Sequence, residues 1–199
     1  MSTVRFFFDY NSPYSYIASL LIEDVCGRHN AEVHWEPFVL GGIFKADDTR
    51  PAHTIEKRRN YMLQDLQNLA EFHGLPYKPR TEFLFNPILS ERVTLQASQG
   101  QERARAVHSL YRGAFAEDLD LGDPAVVSRL LDEAGLDGAA LVEGSQQQSV
   151  KDALRENTEE AARLGVFGAP TYFMEDGRMF WGHDRVKLLD FFLEKTKNG

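Results

Sequence analysis

The opening 38 residues restrict the fold more than any other part of the chain. Thr3 to Phe8 form a run rich in β-branched and aromatic side chains, closed by the turn-forming Asp9-Tyr10-Asn11, which predicts a buried strand running into a loop. Ser12 then suits a helix N-cap and Pro13 the first helical position. Ile17, Leu20, Leu21 and Val25 recur at helical spacing, and Gly27 to Asn30 supplies a stop. From Ala31 to Phe38, the residues Ala31, Val33 and Trp35 alternate with Glu32, His34 and Glu36, as in a strand with one buried face. Strand, helix and strand in that order imply a right-handed crossover, with parallel strands and the helix packed on the sheet.

After Gly41-Gly42 the period changes. Met62, Leu66, Leu69, Ala70 and His73 share one helical face; Ala104, Val107, Leu110, Tyr111 and Ala114 share another. Asp123-Pro124 caps a third helix carrying Val127, Leu130, Leu131 and Ala134. A further helix fits Val150, Leu154, Ala161 and Leu164, until Gly165 to Pro170 breaks the pattern. Thr171 to Met174 and Met179 to Trp181 then flank Glu175-Asp176-Gly177-Arg178, a hairpin signal, and a last helix is predicted from Asp184 with Leu188, Leu189, Phe192 and Leu193 on one face. Several α+β arrangements satisfy this order, but strands at both ends of the chain favour one sheet interrupted by a helical insertion.

Composition narrows the chemistry. The 199 residues are 43% hydrophobic and 26% charged, as in a folded globular protein, and a net charge of −8 argues against a nucleic-acid partner or an acidic membrane surface. No stretch approaches the roughly 18 apolar residues of a membrane span, and the first residues lack the pattern of a secretion signal, so a cytoplasmic location is expected. Cys26, the single cysteine, can make neither an internal disulfide nor a C-x-x-C redox pair, leaves no metal-ligand spacing, and reads as a small buried residue.

Three strings go further: FDYNSPYSYIA at 8–18, GVFGAPTYF at 165–173 and FWGHDR at 180–185. Together they resemble the 2-hydroxychromene-2-carboxylate isomerase family and its relatives, the kappa-class glutathione transferases, within the thioredoxin superfamily. GGIFK at 41–45, NYMLQDL at 60–66, GDPAVVSRLLDEAGLD and NTEEAARLGVFG extend the resemblance over nearly the whole chain. It implies an α/β, thioredoxin-like fold with an all-helical insertion domain, dividing the chain into a discontinuous domain of residues 1–42 and 160–199 and an insertion of residues 43–159. It also implies glutathione as cofactor, a small aromatic carboxylate as substrate, and a homodimer.

The resemblance assigns roles by position. Where redox relatives carry C-x-x-C, this chain has Ser12-Pro13-Tyr14-Ser15. Taken alone Ser12 reads as a helix cap; with the resemblance it is the catalytic residue, its hydroxyl donating to the glutathione sulfur at the positive end of a helix. Pro170, an ordinary trans proline by base rate, becomes a cis proline beside it, so that Ala169 offers its backbone N–H and C=O to the cysteinyl unit as an added strand would. Trp181, Gly182, His183 and Asp184 fall where the γ-glutamyl end is held, with Asp184 also expected to cap the last helix. Among the basic residues around the insertion's first helix (Lys45, Lys57, Arg58, Arg59, Arg80), Lys45 and Arg58 are expected to receive carboxylates. His53 is a substrate contact, and Phe83 and Asn86 are candidate pocket-lining residues. A solvated face is an even alternative for the Lys57–Arg59 charges, and plain packing for Phe83 and Asn86.

The expected activity is glutathione-dependent isomerisation of a 2-hydroxychromene-2-carboxylate-type compound. The alternatives are a kappa-like glutathione S-transferase acting on small electrophiles and a non-catalytic glutathione or thiol-peptide binder. Ser12, His183 and Asp184 do not suggest a hydrolase, because adjacent His and Asp cannot easily form a relay and no nucleophile elbow is present.

Overall fold

A computed structural model describes residues 2–80 and 85–197. Four strands form one sheet in the order β2-β1-β3-β4: β1 (Ser2–Phe8) pairs in parallel with β2 (Ala31–Pro37), and antiparallel with β3 (Thr171–Met174), which pairs with β4 (Met179–Trp181). Helix α1 (Pro13–Arg28) makes the crossover from β1 to β2. Between β2 and β3 every described regular element is helical: α2 (Leu40–Ala46), a 3-10 turn (Ala52–Thr54), α3 (Glu56–His73), α4 (Ile88–Gln96), α5 (Gln101–Phe115), α6 (Pro124–Glu133), α7 (Gly138–Gly144) and α8 (Gln148–Arg163). A 3-10 turn (His183–Arg185) and α9 (Val186–Lys197) close the chain. This is a thioredoxin-like fold with helices inserted between its two sheet halves.

β1 is the central strand and is buried on both faces, which is why its sequence is a nearly continuous apolar run. Val4, Phe6 and Phe8 enter the main core, where Phe6 sits between its register partners Trp35 and Tyr172, with ring centroids 5.4 Å and 5.3 Å away. Phe7 points to the other face and packs with Phe38, Phe173, Ile43, Ala161 and Val166. Arg5 shares the apolar-poor edge of that face, its guanidinium joining Glu36 of β2 and Glu160 of α8. Burying a large apolar side chain is worth about 1.5–3 kcal/mol, so this cluster of aromatics fixes β1 and, with it, the loop at its C-terminal end.

Two helices depart from the pattern in the sequence. α2 runs through Gly41-Gly42, where a break is expected; Ile43, buried against the Phe7–Phe38 cluster, outweighs the roughly 1 kcal/mol helical cost of each glycine. α4 has no clear apolar stripe because its buried face is polar: Ser90, Glu91 and Thr94 are fully buried. The last helix opens at Val186, so Asp184 lies inside the preceding 3-10 turn with its carboxylate on Arg185 at 2.9 Å and, contrary to the sequence expectation, does not cap α9; the turn forms because Gly182 takes a φ of 106°. The expected domain limit at residue 160 lies within α8.

Arg103 of α5 ties the helical part to the sheet: buried at 9% exposure, it donates to the carbonyls of Trp35, Ala97 and Leu95. Arg103→Met keeps most of the volume but leaves three carbonyls without this donor, and should lower stability to urea by about 2–4 kcal/mol. Unchanged stability would show that the tie contributes nothing net.

Candidate active site

The site begins with a backbone turn. Ser12 adopts extended geometry (φ −94°, ψ 103°) and Pro13, with its φ already set and no N–H to satisfy, starts α1. The Ser12 hydroxyl accepts from the Ser15 N–H at 3.2 Å and donates to the Ala169 carbonyl at 3.0 Å, across 157 residues of sequence. The Ala169–Pro170 peptide bond is cis. The loop around it is held by Thr171 Oγ1, which donates to the Gly168 carbonyl at 2.8 Å, and by the Gly182 N–H, which donates to the Pro170 carbonyl at 2.9 Å. Gly168 is required here, because a Cβ would stand 2.3 Å from the Trp181 indole nitrogen.

Ser12 and Ala169 lie in a cleft of about 320 Å³. Leu40 and Phe44 of α2 form one wall, Phe167 and Trp181 another, and Met62 of α3 contributes between them. His53, Arg50 and Arg58 supply the basic rim. Arg50 is braced by Thr54, to whose hydroxyl and carbonyl it donates at 3.1 and 3.2 Å. Partial burial and the nearby Arg59 push the His53 imidazole below its ordinary range. The cleft thus joins a helix-terminus hydroxyl, aromatic walls and guanidinium groups.

Tyr14 lines the same cleft and forms its partition. Its hydroxyl donates to Asp65 of α3 at 2.8 Å, and its ring stacks on His183 at 5.1 Å with 14° between planes. Burial and the Asp65 carboxylate hold the phenol well above its usual range, so it stays protonated. Burial holds the His183 imidazole below its ordinary value. His183 and Asp184 line a second cleft of about 350 Å³ with Leu21, Leu69, Phe72 and Lys187.

The residues expected from sequence are therefore distributed unevenly. Ser12, Ala169, Trp181, His53 and Arg58 line one cleft; Pro170 supplies its cis bond, and Gly182 the bend beyond Trp181. His183 and Asp184 lie across Tyr14, in the neighbouring cleft. Lys45 is exposed in α2 and does not line the cleft. Asn86 is exposed, does not line the cleft, and its Oδ1 accepts from the Ile88 N–H at 3.1 Å, a helix-start bond. Phe83 lies outside the described residues. Tyr14, Arg50 and Asp65 were not singled out by sequence reasoning. Tyr14 stands inside the SPYS string and could have been; Arg50 and Asp65 carry no local signal.

Residues 3–194 match the family of DSBA-like thioredoxin domains. The chain belongs to that family. Within it, the chain is 26% identical to 2-hydroxychromene-2-carboxylate isomerase of Sphingobium xenophagum, covering 96% of this chain and 97% of that one. It is 31% identical to glutathione S-transferase kappa 2 of Caenorhabditis elegans, covering 98% and 93%. A solved 2-hydroxychromene-2-carboxylate isomerase superposes with a TM-score of 0.87 over 98% of this chain and 95% of that one, at 23% identity, a likeness of fold. The relatives of this DSBA-like domain thus include isomerases and glutathione transferases.

Among the described residues no cluster of three or more His, Cys, Asp or Glu is placed to hold a metal, and no helix is long and apolar enough to cross a membrane. Cys26 is 1% exposed, and burial followed by the Glu23 charge pushes its thiol up to about 12. A native-state thiol assay at pH 7.5 should find no reactive group until the protein is unfolded, when one appears. Rapid modification of the folded protein would place a nucleophile where the structure has none.

Proposed function

We propose that the protein is a glutathione-dependent isomerase of a 2-hydroxychromene-2-carboxylate-type aromatic compound, with Ser12 stabilising the glutathione thiolate. The observation that carries the reading is the Ser12 hydroxyl, set at the N-terminus of α1 and 3.0 Å from the Ala169 carbonyl. A hydroxyl has one proton. Here a backbone carbonyl accepts it, and a sulfur anion lying beside Ala169 can take that acceptor's place at little rearrangement. The helix terminus adds a partial positive charge that favours the anion.

The cleft residues fit a tripeptide thiol. Ala169 presents backbone groups for the cysteinyl unit, and Pro170 sets their direction. Trp181 and Gly182 lead toward His183 and Asp184, whose carboxylate suits the γ-glutamyl ammonium. Arg58 and His53 border the space left for an aromatic acceptor, with Arg58 receiving its carboxylate. Phe44, Phe167 and Trp181 supply flat apolar walls for the ring. Lys45 and Asn86, outside the cleft, are not included. Glutathione, when bound, supplies a nucleophilic sulfur that adds reversibly to a conjugated system and lets the former double bond rotate. The chain's own part is to hold the thiol ionised, to fix the acceptor's carboxylate and to exclude water. The reading carries with it a cytoplasmic homodimer, and a division into residues 1–42 with 160–199 and an insertion of residues 43–159.

A second reading is a kappa-like transferase on small electrophiles. It is favoured by the 31% identity to the Caenorhabditis elegans protein and by the position of Lys45 outside the cleft, which leaves fewer cations for a substrate carboxylate. Incubation with 2-hydroxychromene-2-carboxylate and glutathione separates the two: an altered ultraviolet spectrum with the glutathione pool unchanged supports the isomerase, and consumption of glutathione by a generic electrophile supports the transferase. Ser12→Ala should lower either activity about 10- to 100-fold, while loss of the cap costs only about 0.5–2 kcal/mol of stability. Binding of glutathione with neither activity in the wild type would leave a non-catalytic binder.

A further inference from the structure

Directly beneath the Ser12 turn lie two buried carboxyl groups that the chemistry above does not use. Asp9 is 2% exposed and Glu91 is fully buried. Asp9 Oδ1 accepts from the Asn11 N–H at 2.7 Å, and Oδ2 accepts from the Leu40 N–H at 2.8 Å. Its backbone carbonyl accepts from the Ser12 N–H at 2.9 Å and from the Tyr111 hydroxyl at 3.1 Å. Glu91 Oε1 accepts from the Tyr10 N–H at 3.0 Å, whereas its Oε2 has no hydrogen-bond partner among the described residues. Three successive N–H groups of the turn are thus received from below, Tyr10 by the Glu91 carboxyl, Asn11 by the Asp9 carboxyl and Ser12 by the Asp9 backbone carbonyl. The second oxygen of the Asp9 carboxyl crosses to Leu40, and Asn11, Ser12 and Leu40 all line the cleft.

We propose that Asp9 is a positioning residue: its carboxylate ties the Asn11–Ser12 side of the cleft to Leu40, a tie that is made and loosened with pH. The inference rests on the reading of the cleft as a glutathione site. Adjacent buried carboxyl groups do not both ionise readily. Asp9, with two N–H donors, is the better anion, and Glu91, with one donor and a bare second oxygen, keeps the proton. Burial accordingly pushes Asp9 up to about 6, and burial with the Asp9 charge pushes Glu91 well above the carboxylate range. The other groups facing the pair are Tyr111 from α5 and Tyr10, whose hydroxyl meets Thr94 Oγ1 at 2.6 Å; both phenols are held protonated by burial, and the Arg103 charge reaches Tyr10. No cation lies in direct hydrogen-bond contact with either carboxyl group among the described residues.

The sign of the pH effect separates the tie from simple stability. The folded carboxyls bind protons that the unfolded chain has released above about pH 4, so their contribution to stability falls as pH rises through about 6. The tie behaves oppositely, since its two bonds are charge-assisted only once Asp9 is ionised. Acidification from pH 8 to 5 should therefore loosen the cleft without weakening the fold through this pair.

The test uses the whole protein and S-methylglutathione, whose sulfur carries no proton to confuse the titration. Its dissociation constant should rise about five-fold from pH 8 to 5, with a midpoint that coincides with the Asp9 carboxyl titration and with the Leu40 and Asn11 amide shifts in nuclear magnetic resonance. Glu91→Gln replaces a protonated acid by a neutral amide, keeps an acceptor for Tyr10, and should leave all three midpoints together near their wild-type pH while raising the melting temperature at pH 7. Asp9→Asn should bind more weakly at pH 8, show no such dependence, and approach the wild type at pH 5. If the amide shifts ignore the Asp9 titration, or if the binding midpoint does not coincide with it in the wild type and in Glu91→Gln, the proposal is overturned. If S-methylglutathione and glutathione bind at no pH, the glutathione reading fails, and the amide shifts alone decide whether the tie exists.

Discussion

A single hydroxyl group joins the two ends of the chain at the cleft. Ser12 accepts an N–H from the first turn of α1 and gives its proton to Ala169, a residue brought alongside only because β1 and β3 pair. The hydroxyl is thus bound to both sides of the site, and its one proton is committed to a backbone carbonyl that a bound anion can replace. Every other feature of the cleft is arranged about that point. The proline loop carries Ala169, the helix terminus biases the charge, and the aromatic walls limit access of water.

The sheet makes the arrangement rigid. β1 is packed by aromatic rings on both faces, and its C-terminal end delivers Asp9, Tyr10 and Asn11 into the turn. Below the turn, polar groups join the aromatic packing: carboxyl groups receive backbone N–H groups, and Tyr111, packed on Tyr10, donates to the Asp9 carbonyl. This polar layer is buried by α4 and α5, so the helical insertion supports the site from beneath as well as enclosing it from the side. Tyr14 divides the space above into two clefts, one holding Ser12 and the basic rim, the other holding His183 and Asp184.

The parts of the fold legible in the sequence are those governed by a repeating apolar pattern. β1, α1 and β2 follow from their alternation and capping, and the Asp-Gly hairpin between β3 and β4 follows from its turn residues. α4 was hidden because tertiary contacts satisfy a polar buried face that no periodicity marks, and Glu91 was missed with it. α2 was obscured by glycines whose local preference is overruled by Ile43. Of the site, Ser12, Ala169 and Trp181 were legible because short motifs carry them. Tyr14 takes its partners Asp65 and His183 from segments distant in sequence, and the charge of Lys45 says nothing of which surface it reaches.

The most direct measurement is the ultraviolet thiolate absorbance of glutathione bound to the wild-type protein and to Ser12→Ala, followed against pH. The account requires the bound thiol of the wild type to ionise about one pH unit or more below that of glutathione in solution, and to return toward the solution value when the hydroxyl is removed. A bound thiol that titrates as it does in water, or identically in both proteins, would contradict it.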